Sequence, residues 1–211
     1  MVDFDAISQA IIAGRGAEVK DFLTAALAEG ADPGRLINEA LISGMSVVGE
    51  RFRKNEIYIP EVLLAARAMH SGLDVLRPAL AAHKIQPVGT IIIGTVKGDL
   101  HDIGKNLVGM MFEGAGFQVV DLGVDVSPDK FMAAVQEHGA QLLGLSALLT
   151  TTMPQMKNTI SALEQAGIRR QVRVLVGGAP VTQDYADKIG ADGYSADAAS
   201  AVIKGKELMG I

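Results

Sequence analysis

The chain has 211 residues, 49% hydrophobic and 20% charged, with 19 basic side chains against 24 acidic ones and no cysteine. That apolar share is too high for a disordered chain, and the interspersed charges form no block of one sign. No apolar run approaches the ~18 residues of a membrane span, the acidic start MVDFDAISQA is unlike a secretion signal, and a chain without cysteine has no disulfide framework or thiolate metal site.

A cytoplasmic location, with no membrane partner, is therefore the expectation. There are 9 basic and 11 acidic residues before position 86, then 10 and 13 from there on. Neither half is basic and aromatics make up only 4%, so no nucleic-acid partner is expected. The 24 glycines imply close backbone approach somewhere in the fold.

In chain order, helical stretches fit residues 4–13 and 18–28, separated by Gly14 and Gly16. Pro33 and Pro60 stand where helix starts favour proline. Ile37, Leu41, Gly44 and Val48 step at helical spacing, as do Val62, Ala66, Met69, Leu73, Leu76 and Leu80. Residues 1–85 thus read as a bundle of about four helices, followed by an aperiodic linker over 83–88.

Beyond it the texture alternates. Apolar β-rich runs at 88–96, 118–122, 142–145 and 172–176, with a short fifth near 193–195, are separated by helical stretches at 104–115, 128–138, 153–166, 182–189 and 198–209. The first run, VGTIIIGTV, has the continuous apolar character of a strand buried on both faces. Residues 86–211 are therefore expected to form an α/β flavodoxin-like (Rossmann-like) doubly wound parallel sheet of about five strands.

In such a sheet, ligands bind beyond the carboxyl ends of the strands. The first strand leads into Lys97-Gly98-Asp99-Leu100-His101-Asp102-Ile103-Gly104, the third into Ser146–Thr152, and the fourth into Gly177-Gly178. The segment after the second strand, Asp121–Asp125, reads as less loaded with small polar groups. Asp99-x-His101 is the informative pair: a carboxylate on one imidazole nitrogen fixes the tautomer and raises the basicity of the other, as in metal-ligating histidines. Residue spacing alone leaves three readings open: that arrangement, an exposed loop histidine, or a divalent-ion site of Asp99, His101 and Asp102. Gly177-Gly178 alone equally fits an ordinary strand-to-helix turn, and Ser146–Thr152 a polar loop with a helix cap.

The run Gly98-Asp99-Leu100-His101-Asp102-Ile103-Gly104-Lys105-Asn106, then Ser146-x-Leu148, then Gly177-Gly178, resembles the DxHxxG, SxL and GG signature of B12-binding domains. Upstream, Phe52 and the segment Tyr58-Ile59-Pro60-Glu61-Val62 resemble the helical cap module of B12-dependent methionine synthase, so the resemblance covers essentially the whole chain. A cap plus a B12 domain and nothing else is similar to the corrinoid proteins of methyltransferase systems.

The resemblance implies a cobalamin or related cobamide, with His101 as the lower axial ligand of cobalt in place of the cofactor's own base. It implies Asp99 hydrogen-bonded to the other ring nitrogen, and Thr152 in the place where methionine synthase completes the relay with serine. Asp102 and Ile103 belong to the implied binding set. Ser146 would contact the displaced base, Leu148 and Thr150 would line its slot, and Gly104, Gly177 and Gly178 would let the nucleotide tail lie against the backbone. Phe52, Ile59 and Val62 match positions that shield the upper face of cobalt; without the resemblance they are core residues of a bundle.

The implied partners are a substrate:corrinoid methyltransferase, a methylcobamide:tetrahydrofolate or coenzyme M methyltransferase, and a reductive activase. The competing readings are the B12-binding subunit of a mutase, a B12-dependent sensor, and a corrinoid store.

Overall fold

The computed structural model describes residues 2–211, which form two compact units. One runs up to Val88 and takes in Glu113–Gly116; the other comprises Gly89–Phe112 and Phe117–Ile211.

The first unit is helical. Asp3 caps α1 (Phe4–Ile12) by accepting the Ala6 N–H at 2.9 Å, and the helix buries Ile7, Ala10 and Ile11. α2 (Gly16–Ala28) buries Val19, Leu23 and Ala26, again at spacings of three and four. Pro33 opens α3 (Pro33–Arg35), which runs straight through a π-helical stretch, Leu36–Ile42, into α4 (Ser43–Arg53). The wider π turn shifts the phase of the buried face. Leu41, Gly44 and Val48 of the expected stripe are buried, while Ile37 is only half-buried and Leu36 takes its place at the head of the buried face.

α5 (Ile59–Ala82) starts with Pro60 in its first turn and Glu61 accepting the Tyr58 N–H at 3.1 Å. Of the expected seam, Val62, Ala66, Met69 and Leu76 are buried and Leu73 and Leu80 half-buried. A β-carbon on Gly72 would lie 2.9–3.0 Å from Leu41, Leu23 and Val19, so the absence of a side chain there sets how closely the helices pack.

The second unit is a five-stranded, all-parallel sheet in the order β2-β1-β3-β4-β5. Its strands are β1 (Thr90–Thr95), β2 (Gln118–Asp121), β3 (Leu142–Ser146), β4 (Arg173–Gly177) and β5 (Gly193–Ser195). β1 is buried along its whole length, as its continuous apolar run requires, and Ile91, Ile92 and Ile93 each contribute roughly 1.5–3 kcal/mol by leaving water.

The connecting helices are α6 (Ile103–Gly114), α7 (Pro128–His138), α8 (Pro154–Gln165), α9 (Gln183–Ile189) and α10 (Ala198–Met209). One core joins Ile92, Leu143, Leu145, Val174 and Val176 to Phe131 of α7 and Met156, Ile160 and Leu163 of α8. On the opposite face, α10 meets α6 and β3 closely enough that a β-carbon on Gly205 would stand 2.8 Å from Phe112 and 3.1 Å from Leu142.

α7 shows local chemistry setting an element's bounds. Ser127 accepts the Lys130 N–H at its start, Pro128 occupies the first turn, and Gly139 ends it in the left-handed conformation.

With β1 between β2 and β3, the chain leaves β1 in one direction across the sheet and β3 in the other, opening a crevice at their carboxyl ends. There Thr95, Ser146, Gly177 and Ser195 stand in one register row.

Candidate functional site

The loop from Val96 to Asp102 leaves β1, turns at Gly98 (φ 81°), and delivers Asp99 into the crevice with no accessible surface. A buried carboxylate needs a full set of donors, and the β3 loop supplies them. Asp99 Oδ2 accepts the Leu148 N–H at 2.8 Å, the Leu149 N–H at 3.2 Å and the Thr152 hydroxyl at 2.7 Å. Asp99 Oδ1 lies 2.7 Å from His101 Nδ1 and accepts the His101 main-chain N–H at 3.2 Å. Thr152 Oγ1 also lies 2.9 Å from the Leu149 carbonyl; having one proton, it serves the charged and nearer acceptor.

Burial alone would raise the pKa of Asp99. The Thr152 and His101 side chains and the Leu148 and His101 amides outweigh it, holding the carboxyl far below the ordinary carboxylate range.

An ionised carboxylate only accepts, so a neutral His101 carries its proton on Nδ1 and leaves the Nε2 lone pair free. The His101 side chain is 50% exposed, and Nε2 has no hydrogen-bond partner among the described residues. Leu100 of the same loop, Ile103 at the start of α6, and Leu148 and Leu149 of the β3 loop are exposed apolar residues. A free imidazole nitrogen held in one tautomer in this way is able to ligate a transition metal. The alternative of a simple divalent-ion site falls away, because no three His, Asp or Glu side chains converge among the described residues.

The two glycine positions behave differently. A β-carbon on Gly104 would meet nothing within 4 Å, so the fold leaves space there for a ligand. Gly178 has φ 128°, and a β-carbon would stand 1.9 Å from the Ala147 carbonyl oxygen. The fold itself therefore demands glycine at 178, with or without a ligand. At Gly177 the margin is narrower, with 3.1 Å to the Ser195 carbonyl oxygen.

Ser146 ends β3 half-buried, while Thr150 is exposed on the turn before α8. Asp102 is exposed just before α6, where its carbonyl accepts the Asn106 N–H at 2.7 Å and its carboxylate the Asn106 side-chain amide at 3.2 Å. In the helical unit Ile59 is exposed, Phe52 is half-buried, and Val62 has no accessible surface and continues the packed seam of α5.

Residues outside the motifs complete the site. Lys105, with its side chain 3% exposed, is paired with Asp121 at the end of β2 and donates to Asn106 Oδ1 at 2.6 Å. Asp125, in the left-handed conformation at φ 54°, accepts the Gly98 N–H at 2.7 Å and gives its own N–H to the Asp99 carbonyl at 3.0 Å. The segment after the second strand, read from the sequence as less loaded with small polar groups, thus braces the Asp99 loop through Asp125. The only sequence signal for it was the pair of carboxylates at 121 and 125.

Among proteins of known family, the B12 binding domain matches residues 89–203, and a second domain type with the same description matches residues 3–77. The trimethylamine corrinoid protein of Methanosarcina barkeri is 48% identical over 88% of this chain and 87% of its own length. A corrinoid protein of Desulfitobacterium hafniense is 41% identical over 98% of this chain and 97% of its own. A chain of the methanol:cobalamin methyltransferase complex of Methanosarcina barkeri superposes with a TM-score of 0.88 at 35% identity, covering 99% of this chain and 80% of that one.

Proposed function

This chain belongs to the corrinoid protein family with B12 binding domains, and from that premise we propose that it holds a cobamide through His101 and carries a methyl group between two methyltransferases. The observation that carries the reading is the Asp99–His101 pair. A buried, fully donated carboxylate fixes Nδ1 and leaves Nε2 without a partner among the described residues, at the sheet's switch point.

The residues present fit the cofactor. His101 Nε2 is a free imidazole donor, Gly104 borders open space, and Leu100, Ile103, Leu148 and Leu149 offer an apolar border suited to a corrin ring. When bound, the cobamide supplies a cobalt centre able to accept and release a methyl group. The chain's own part is to bind and tune it. Asp99 holds the negative end of the His101 relay and Thr152 its outer donor, so the basicity of Nε2 is set by a carboxylate that remains charged. Ser146 and Thr150 offer hydroxyls along the β3 end to a displaced nucleotide base, with Leu148 beside them. An apolar cover from Phe52, Ile59 and Val62 is what the resemblance alone implies; of the three, Ile59 is exposed and Val62 is packed within the helical unit.

The relatives' names put a methylated amine first among donors to try. The acceptor methyltransferase, tetrahydrofolate- or coenzyme M-dependent, and a reductive activase are the further partners this role requires. The test is to load the protein with hydroxocobalamin, reduce it, and add a trimethylamine- or dimethylamine-specific methyltransferase with its substrate. A methylated corrinoid that stays with the protein supports the carrier. A loaded protein that no methyltransferase in a panel of methyl donors will methylate overturns it in favour of a mutase subunit, sensor or store.

A further inference from the structure

The His101 main chain is tied to the sheet by a residue outside every motif. Thr95, the last residue of β1, has no accessible surface, and its Oγ1 donates to the His101 carbonyl at 2.7 Å. The segment 96–100 loops out and brings residue 101 back over the end of the strand that launched it. A hydroxyl buried at the end of an otherwise apolar strand needs a partner, and this one has His101.

The other tethers of His101 both come from Asp99, one to its N–H and one to its ring. They fix the imidazole relative to the carboxylate. Among the described residues, only the Thr95 hydrogen bond ties the His101 backbone directly to β1.

We propose that Thr95 is a positioning residue for His101, holding its main chain where Nε2 reaches cobalt, so that the hydroxyl sets how fully the histidine is engaged as axial ligand. The proposal rests on the reading of His101 as that ligand. Its physical basis is that a metal bond tolerates deviations of only about 0.2 Å, so the ligand's backbone must be held from the scaffold as well as from its relay partner.

The test compares wild type, Thr95→Ser, Thr95→Val, Thr95→Ala and His101→Ala. Each is loaded with hydroxocobalamin and reduced to the paramagnetic cobalt(II) state, and the nitrogen splitting in the electron paramagnetic resonance spectrum is read at fixed pH. The expected result is a histidine-on to histidine-off ratio about fivefold lower in Thr95→Val and Thr95→Ala, the scale of one hydrogen bond, with Thr95→Ser close to wild type. Unchanged splitting in folded hydroxyl-less variants would overturn the proposal while leaving the His101 reading intact. Wild-type splitting identical to that of His101→Ala would overturn the His101 reading and the proposal with it. Failure of both hydroxyl-less variants to fold, with Thr95→Ser folding, would also overturn it, by making Thr95 a residue of the fold.

Discussion

The two units bury their polar groups in opposite ways. In the helical unit, among the described residues, Ser8 is the one buried polar side chain. Its ion pairs Arg15–Glu18, Arg35–Glu39, Lys54–Glu50 and Arg77–Asp74 lie exposed, one helical turn apart, and only His70–Glu113 among the described residues joins distant segments. In the α/β unit Thr159 and Ser195 bond locally, but Thr95, Asp99, Lys105 and Thr152 are buried too, Thr95 holding the loop after its strand and the other three reaching across to another loop or strand. The helical unit is a packing solution that many apolar sequences would satisfy. The α/β unit spends desolvation on a particular arrangement of donors at one sheet end, which is where a binding function leaves its mark.

The sharpest way to break that contrast is Asp99→Ala. It leaves the Leu148 and Leu149 amides and the Thr152 hydroxyl without their acceptor, and should cost the apoprotein about 3–5 kcal/mol in urea unfolding as well as abolishing corrinoid retention. A loss below about 1 kcal/mol would mean that water replaces the carboxylate and that the site is not built around it.

The glycines separate fold from ligand within the same unit. Gly178→Ala drives a β-carbon into the Ala147 carbonyl and should destabilise the apoprotein by about 2–4 kcal/mol. Gly104→Ala points into open space near the start of α6 and should leave apoprotein stability within about 1 kcal/mol of wild type, while weakening hydroxocobalamin retention. Equal effects of the two substitutions on the apoprotein would remove the distinction.

Acid unfolding gives a smaller, signed effect. The folded pKa of Asp99 lies below that of the unfolded chain, so its stabilisation is complete above the ordinary carboxylate pKa of ~3.9 and is lost as pH falls through the folded value. Asp99→Asn should flatten this part of the urea-midpoint profile below about pH 4, with little change of slope at neutral pH. Smallest of all, Glu39→Gln breaks the bidentate pair with Arg35 on an exposed helix face, and should shift the melting temperature by no more than the scatter of repeat measurements.

The contrast also explains what could be read from the sequence. Alternating texture was enough for the α/β unit: the helices over 128–138 and 198–209 and the strand over 193–195 fall where expected, because caps, prolines and glycines mark their ends. Asp99, His101 and Thr152, expected from the resemblance to act together, are brought together by the structure. Thr152 reaches Asp99 with its hydroxyl while its methyl lies toward Gly98, where even a β-carbon would be 3.7 Å away.

What periodicity could not show was the π turn at Leu36–Ile42, which moves burial from Ile37 to Leu36 without any glycine or proline inside it. Nor could it show Thr95, which reads as one more β-branched strand residue until the loop returns to it, or Asp125, whose partners lie 26 and 27 positions back along the chain. Nor could it show that the fold itself requires glycine at 178, because the clash of a β-carbon there with Ala147 exists only in three dimensions.

The central claim is that cobalt binds His101 through Nε2, and isotope substitution tests it most directly. The protein is produced with ¹⁵N-labelled histidine, loaded with unlabelled hydroxocobalamin, and reduced to cobalt(II), and the axial nitrogen splitting is compared with that of unlabelled protein. A triplet that becomes a doublet on labelling, and a doublet that disappears in His101→Ala, is the predicted result. A triplet unchanged by labelling would mean that the cofactor keeps its own base and that His101 is not its ligand.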